Sequence, residues 1–327
     1  MDLSSMLRTV KKVHRRSGKN SIYIFFDMIK CSVRYLAGYV DYDLLYFEEL
    51  SDYQRSTFIT RGVNDGYLRK MNDSSYYDNF IDKAKFNRVF GEFVKRDFIS
   101  LKEAGFDEFA GFAKKHPVFM AKPIDEQCGV GVEKIDSAGQ DLHELYDRLV
   151  NNNQLLIEEL IVQCREMASL CPSSVNTLRI VTVRKNHKTT VMFRIIRIGN
   201  GKANVDNFHQ GGMFSKVGEN GVVVKPAIDN QSNVYTVHPV TGVRIEGFQV
   251  PMFDKVIDCA VRASAVIEQV GMVGWDVAIT EDGPELVEGN QLPGYDLYQS
   301  KIHLNDDGTG YKPFFDSIIY GDDTSND

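Results

Sequence analysis

Asp276, Glu288 and Asn290 are the first residues in this chain whose types and spacing suggest chemistry. They lie in two apolar stretches, "VGWDVAIT" and "PELVEGN", which read as strands around Glu281-Asp282-Gly283. Residues two apart on a strand share a face, so Glu288 and Asn290 point the same way. Whether Asp276 joins them depends on the hairpin register. A two-residue turn at Asp282-Gly283 puts Asp276 opposite Gly289, on the other face, and leaves only polar residues at an open hairpin end. A three-residue loop with Gly283 in a G1 bulge puts Asp276 opposite Glu288. Facing carboxylates repel unless a cation lies between them, and two carboxylates with an amide oxygen are hard ligands that suit Mg²⁺.

A second constellation lies upstream. "FMAKPIDEQCGVGVEKI" places Lys122 at a strand end, followed by a loop, Gly129-Val130-Gly131 and a second strand. Because a strand and not a helix follows the glycines, neither a Walker A motif nor a dinucleotide-binding fingerprint fits. A glycine loop between strands can fold over phosphates, with its amides pointing inward and the strand-borne lysine supplying charge; its plain alternative is a flexible hairpin.

The elements that must position these residues follow from periodicity. Leu3, Met6, Leu7, Val10 and Val13 have helical spacing, as do Ile22, Phe25, Phe26, Ile29, Val33 and Leu36. "VFMAK", "CGVGVEKI" and "QLLIEELI" read as strands around the helix "DLHELYDRLV"; "TLRIVTV" and "TTVMFRIIRIG" read as a hairpin, and residues 253–270 as a helix. Strand pairs joined by hairpins and interrupted by helices predict an α+β fold of two lobes. The boundaries drawn from this pattern are a mainly helical extension over 1–75, a nucleotide lobe over 76–165, and a C-terminal lobe with the metal set and an acidic tail over 166–327.

Composition narrows the function. The 327 residues carry a formal charge of -7, which argues against general nucleic-acid binding. Five scattered cysteines without zinc spacing read as free thiols of a reducing compartment. No apolar run is long enough to span a membrane, and the N-terminus lacks a secretory signal, so the expected location is the cytoplasm. The charge is uneven, with six Lys/Arg and no acid between Arg8 and Lys19. That stretch is a solvated helix face or, on a sharper reading, a weak contact with the anionic inner face of a membrane, with Leu3, Met6, Leu7, Val10 and Val13 dipping into lipid.

The ordered set "DK", "KP", "GVG", "IEELI", "NTLRIVT", "NFHQGG", "WD" and "VEGNQLPG" resembles the ATP-grasp superfamily, and within it the sugar-transfer-associated ATP-grasp proteins. The resemblance also takes in "YLAGYVDYDLLYFEELSDYQRSTFIT" and covers most of the chain. It implies an ATP-grasp fold and a nucleotide site containing Lys83 (with Lys85 as a substitute), Lys122, Gly129, Gly131, Glu158 and Ile161, with Gln163 or Glu166 near the ribose. It implies Mg²⁺, or Mn²⁺ in its place, on Asp276, Glu288 and Asn290. Related ligases often carry an arginine two residues before the first metal carboxylate, where this chain has Gly274, so Arg179 or Arg194 is expected to stabilise the transferring phosphoryl group. Asn176 is matched beside Arg179. In "DNFHQGG", Asn207, Gln210 and Gly212 are expected near the terminal phosphates and the acceptor, with His209 as a base or a plain solvated residue.

The implied activity is an ADP-forming carboxylate–amine ligase that works through an acyl phosphate and joins an amino acid or amine to a surface-polysaccharide or sugar-derived acceptor. The alternatives are a kinase of a glycan hydroxyl on the same scaffold and an inactive ATP-binding module.

Overall fold

The computed structural model describes residues 2–125, 131–201 and 211–321. The chain forms two compact units, Met1–Asn72 with Leu292–Asp327, and Asp73–Gln291.

In the first unit, α1 (Leu3–Ser17) is capped by the Asp2 carboxylate and α2 (Ser21–Tyr35) by the Asn20 side chain. The short helices α3 (Tyr39–Leu44) and α4 (Asp52–Ser56) follow, and then α5 (Arg61–Met71). Met6, Val10 and Val13 of α1 and Ile24, Met28, Cys31 and Tyr35 of α2 enter one core. On α1 this differs from the membrane reading of that helix. Three of the five α1 residues expected to reach a membrane are buried in protein, and the α2 stripe Ile22, Phe26, Ile29 and Val33 is exposed while the opposite face is buried. Both faces of α2 are apolar, so helical spacing alone cannot choose between them. Within the core, Arg55 forms a two-pronged pair with Asp27, at 2.9 and 2.7 Å, and the Tyr42 hydroxyl donates to Asp27 at 2.7 Å.

The segment after Gln291 belongs to this helical unit and does not extend the sheet-bearing lobe, as the 166–327 boundary had it. The reason is aromatic: Phe315, in the helix Lys312–Ile319, stacks on Tyr67 at 5.8 Å and on Tyr298 at 5.7 Å. The Gln299 amide also bonds both the N–H and the C=O of Ile59.

The second unit contains, among the described residues, two antiparallel sheets. The smaller is made of β1 (Phe98–Ser100), β2 (Val118–Lys122), β3 (Glu133–Asp136) and β4 (Leu156–Glu159), in the order β1-β4-β2-β3. The larger is made of β5 (Thr177–Lys185), β6 (Lys188–Ile198), β7 (Met213–Lys216), β8 (Ala227–Asp229), β9 (Val234–Tyr235), β10 (Met272–Thr280) and β11 (Gly283–Asn290), in the order β11-β10-β5-β6-β7-β8-β9. The β5–β6 connection is a two-residue turn at Asn186-His187, both with positive φ, which suits the twist of the strands.

Among the described residues, six helices pack around these sheets: α6 (Asp78–Ile81), α7 (Lys83–Val89), α8 (Phe106–Lys115), α9 (Leu142–Asn151), α10 (Arg165–Leu170) and α11 (Phe253–Ala263). Trp275 fixes one side of β10: it is buried against Phe90 at 5.3 Å and donates its indole N–H to Thr182. Successive strand residues face opposite ways, so Asp276 points to the other side. Gly289 pairs with Trp275, and a Cβ there would come within 2.9 to 3.1 Å of Phe86, Trp275 and Phe80. A glycine between Glu288 and Asn290 is what lets those rings pack.

Candidate active site

Asp276 and Glu288 face each other across the β10–β11 pair, by a route that the sequence did not suggest. Thr280 pairs with Gly283 around Glu281-Asp282, and Val277 pairs with Leu286. A regular ladder would next oppose Asp276 to Val287 and turn Glu288 toward the Trp275 side. Instead the register shifts there, and Asp276 pairs with Glu288 and Gly274 with Asn290. Val287 is the extra residue of a β-bulge. The outcome is the pairing expected from a three-residue loop, but the displacement lies four residues farther along β11.

The Asp276 carboxylate is buried between two arginines. Arg179, its cross-strand partner on β5, reaches both carboxylate oxygens through Nε and Nη2, the latter at 2.6 Å; Arg197 of β6 donates to Oδ2 at 2.5 Å. Burial opposes the charge, but the two guanidiniums overcome it and hold Asp276 down to about 2. Glu288 lies 3.7 Å from Arg179. The Glu288 side chain is half exposed, yet desolvation at its carboxyl and then the charge of Asp276 push it up. Two carboxyl groups that repel, with an amide two residues on, make a hard-oxygen donor set.

A chain of buried polar contacts joins the bulge to the smaller sheet. Arg96, just before β1, donates to the carbonyl oxygens of Leu286 at 2.7 Å and of Val287 at 3.3 Å, holding the bulged backbone. The same guanidinium pairs with Glu158 of β4 at 3.0 Å and lies 3.4 Å from Glu285. Glu158 also accepts from Asn87 at 2.6 Å and pairs with Lys122 of β2. Burial works against the Glu158 charge, yet Arg96 and Lys122 hold its carboxyl below the ordinary range. Lys83, at the start of α7, feels Glu288, Lys122 and Glu158 together, and burial lowers its pKa. Its ammonium lies 3.4 Å from the carbonyl oxygens of Pro123 and Ile124, at the start of the loop after β2. Gly131, just before β3, has φ +70°, and a Cβ there would sit 2.7 Å from the Pro123 ring.

The model of the sugar-transfer associated ATP-grasp family matches residues 62–302, most of the chain. The chain belongs to this family. ATP-grasp ligases are also among its structural neighbours. The ATP-grasp ligase PsnB complexed with minimal precursor is 16% identical, with a TM-score of 0.45 over 85% of this chain and 72% of that one. The D-alanine-D-alanine ligase from Coxiella burnetii is 11% identical, with a TM-score of 0.39 over 66% of this chain, which spans about half (49%) of that protein. The L-amino acid ligase from Bacillus licheniformis is 15% identical, with a TM-score of 0.37 over 65% and 41% of the two chains. No curated protein matches the chain.

In this ATP-grasp protein the sequence-selected residues separate into groups. Lys83, Lys122, Glu158, Asp276 and Glu288 fall in one connected electrostatic neighbourhood. Ile161 lies in the connector after β4, and Glu166 and Lys85 are exposed. Gln163 is spent on structure and not left for a ribose: its amide donates to the carbonyls of Cys171 and Ser174 and accepts from the backbone and side chain of Asn176. Asn176 in turn bonds Met167 and Cys171. Arg194 is three residues from Arg197 on β6 and points to the opposite face from Asp276, where burial lowers its pKa. Gly129, Asn207, His209 and Gln210 lie outside the described residues, and Gly212 is buried beside β7. Sequence reasoning missed Arg96 and Arg197. Two-residue periodicity from Arg179's partner Ile195 would have found Arg197, whereas nothing local marks Arg96.

Proposed function

We propose that this ATP-grasp protein is an ADP-forming carboxylate–amine ligase. The observation that carries the proposal is the Asp276–Glu288 pair, set on one face with Arg179 and Arg197 and tied through Arg96 and Glu158 to Lys122. In this reading Lys83 and Lys122 neutralise the phosphates of ATP, and the amides around Gly129 and Gly131 cover them. Asp276, Glu288 and Asn290 would hold Mg²⁺, or Mn²⁺, which supplies charge neutralisation at the phosphate oxygens. Arg179 and Arg197 favour charge developing on the transferring phosphoryl group. Asn207 and Gln210 keep their assignment near the acceptor.

The acceptor carboxylate oxygen bonds to the γ-phosphorus as the bond to ADP breaks. The amine nitrogen then bonds to the acyl carbon, inorganic phosphate leaves with the original carboxylate oxygen, and the amine gives up a proton. A free carboxylate is a poor electrophile, and phosphorylation supplies its leaving group. The family's sugar-transfer association supports an acceptor from surface-polysaccharide or sugar-derived chemistry, joined to an amino acid or amine.

The test uses ¹⁸O in the carboxylates of candidate glycan acceptors, with product mass spectrometry. A ligase moves label into inorganic phosphate, and hydroxylamine in place of the amine traps a hydroxamate. A stable phosphorylated product that keeps its ¹⁸O assigns a kinase instead.

A further inference from the structure

Three metal-ligating side chains meet at one edge of the smaller sheet, outside the candidate active site. Asp97 precedes β1, His116 caps the end of α8 and Glu159 ends β4, and one donor atom from each lies within 4.8 Å of the other two. Glu159 follows Glu158 on the strand and so faces the other way, off the chain of contacts that runs through Arg96 and Lys122.

The contacts among the three leave two donor atoms unused. The His116 side chain is only 12% exposed, and its ring packs on Phe112 at 4.8 Å. Its Nε2 lies 2.8 Å from Asp97 Oδ2; an ionised carboxylate only accepts, so this nitrogen carries the proton. The lone pair of the neutral ring is then on Nδ1, which lies 3.7 Å from Glu159 Oε1, too far for a hydrogen bond. The other Glu159 oxygen accepts from the Asp97 N–H at 3.0 Å and fixes the carboxylate. Two electron-rich atoms are thus held together with no proton between them. Donors bound to one tetrahedral ion at roughly 2.0 to 2.2 Å are separated by about 3.4 Å, close to the spacing seen. A ring whose second nitrogen donates to a carboxylate is also the usual form of a metal-bound histidine.

We propose that His116 Nδ1 and Glu159 Oε1 bind a divalent transition-metal ion of the Zn²⁺ type, with Asp97 holding the imidazole from its other side and water completing the shell. An imidazole with a carboxylate suits zinc, whereas Mg²⁺ prefers an all-oxygen set such as Asp276, Glu288 and Asn290. The ion ties the end of α8 to the end of β4. Lys115 opposes it: its ammonium pairs with Asp97, but the side chain is 67% exposed and free to swing away. This inference is independent of the ligase assignment.

The test is calorimetric titration of the full chain with Zn²⁺ in excess Mg²⁺. The expected result is one zinc equivalent that Glu288→Gln retains and His116→Gln loses, by more than the roughly 10- to 100-fold that loss of an outer partner costs. Asp97→Asn still accepts from Nε2 but lacks the charge, and should weaken zinc within that range. Lys115→Gln should tighten zinc by up to about fivefold, the size of an exposed ion pair. Zinc should also raise the melting temperature of wild type and not of His116→Gln. Should His116→Gln fold poorly, Glu159→Gln, at a half-exposed side chain, reads the same loss. Equal zinc binding by wild type and both ligand variants overturns the proposal. So does a Lys115→Gln variant that binds zinc no more tightly, which reduces the cluster to ordinary ion pairing.

Discussion

Asp276 stands opposite Glu288 because Val287 is one residue too many for the ladder. The pair is therefore held by backbone geometry and not by mutual attraction, and removing one charge relieves repulsion. Glu288→Gln should leave the melting temperature unchanged or slightly raised. It should also lower turnover by a factor of about 10² to 10³, the size of effect seen when one electrostatic group is lost from a reacting centre. Calorimetric titration with ATP in the presence and absence of Mg²⁺ checks the cause, since the variant should lose the magnesium-dependent part of ATP binding. Full turnover in saturating Mg²⁺ would remove Glu288 from the site.

Arg96→Lys keeps the charge but loses the planar fork that reaches two carbonyl oxygens and Glu158 together. The expected loss in stability is about 1 to 3 kcal/mol, as for buried acceptors left without their donor, measured by urea unfolding. Because the arginine braces both the bulge and the partner of Lys122, kcat should fall and KM for ATP should rise together. A variant with altered stability and wild-type kinetics would confine Arg96 to the core.

The Glu158 carboxyl is held below its ordinary 4.5 by Arg96 and Lys122, so its contribution to stability is present above that value and is lost as the pH falls below it. Glu158→Gln should be several kcal/mol less stable near pH 7, the cost of leaving Arg96 and Lys122 partly uncompensated. The gap from wild type should narrow steadily below pH 4.5. Unfolding midpoints measured from pH 7 to pH 3 would show this; a gap independent of pH would mean that the glutamate contributes through shape alone.

Gly131→Ala and Gly242→Ala form a matched pair. Both glycines have left-handed φ, +70° and +72°, but only at Gly131 would the new methyl group meet something, the Pro123 ring. Each should cost about 1 to 2 kcal/mol for the backbone conformation. Gly131→Ala should lose more and should weaken ATP binding, because its loop must move; equal ATP affinity in the two variants would detach that loop from the nucleotide.

What the sequence revealed was whatever depends on near neighbours. Alternation located β10 and β11, and the chemistry of Asp276, Glu288 and Asn290 singled them out. The bulge was not legible, because its stabilising donor, Arg96, is 190 residues away from Leu286 along the chain. Gln163 looked available for a ligand because its four hydrogen-bonding contacts lie in the 171–176 segment, which comes close only after folding. On α2 the pattern itself was ambiguous: with two apolar stripes, the choice of the buried one falls to the bulky partners Tyr42 and Phe47, which no periodicity encodes.

The return of the chain after Gln291 to the helical unit bears on how the protein can be cut. A fragment spanning the family match, residues 62–302, would keep Tyr67 and Tyr298 but discard Phe315, leaving two large aromatic faces uncovered and Gln299 without Ile59. Such a fragment should be prone to aggregate. The stretch 73–291 is one contiguous segment and severs none of those contacts, so it is the natural piece to express alone. The helical unit, by contrast, is written in two separate parts of the gene and can be made as one chain only by joining residue 72 to residue 292 through a linker.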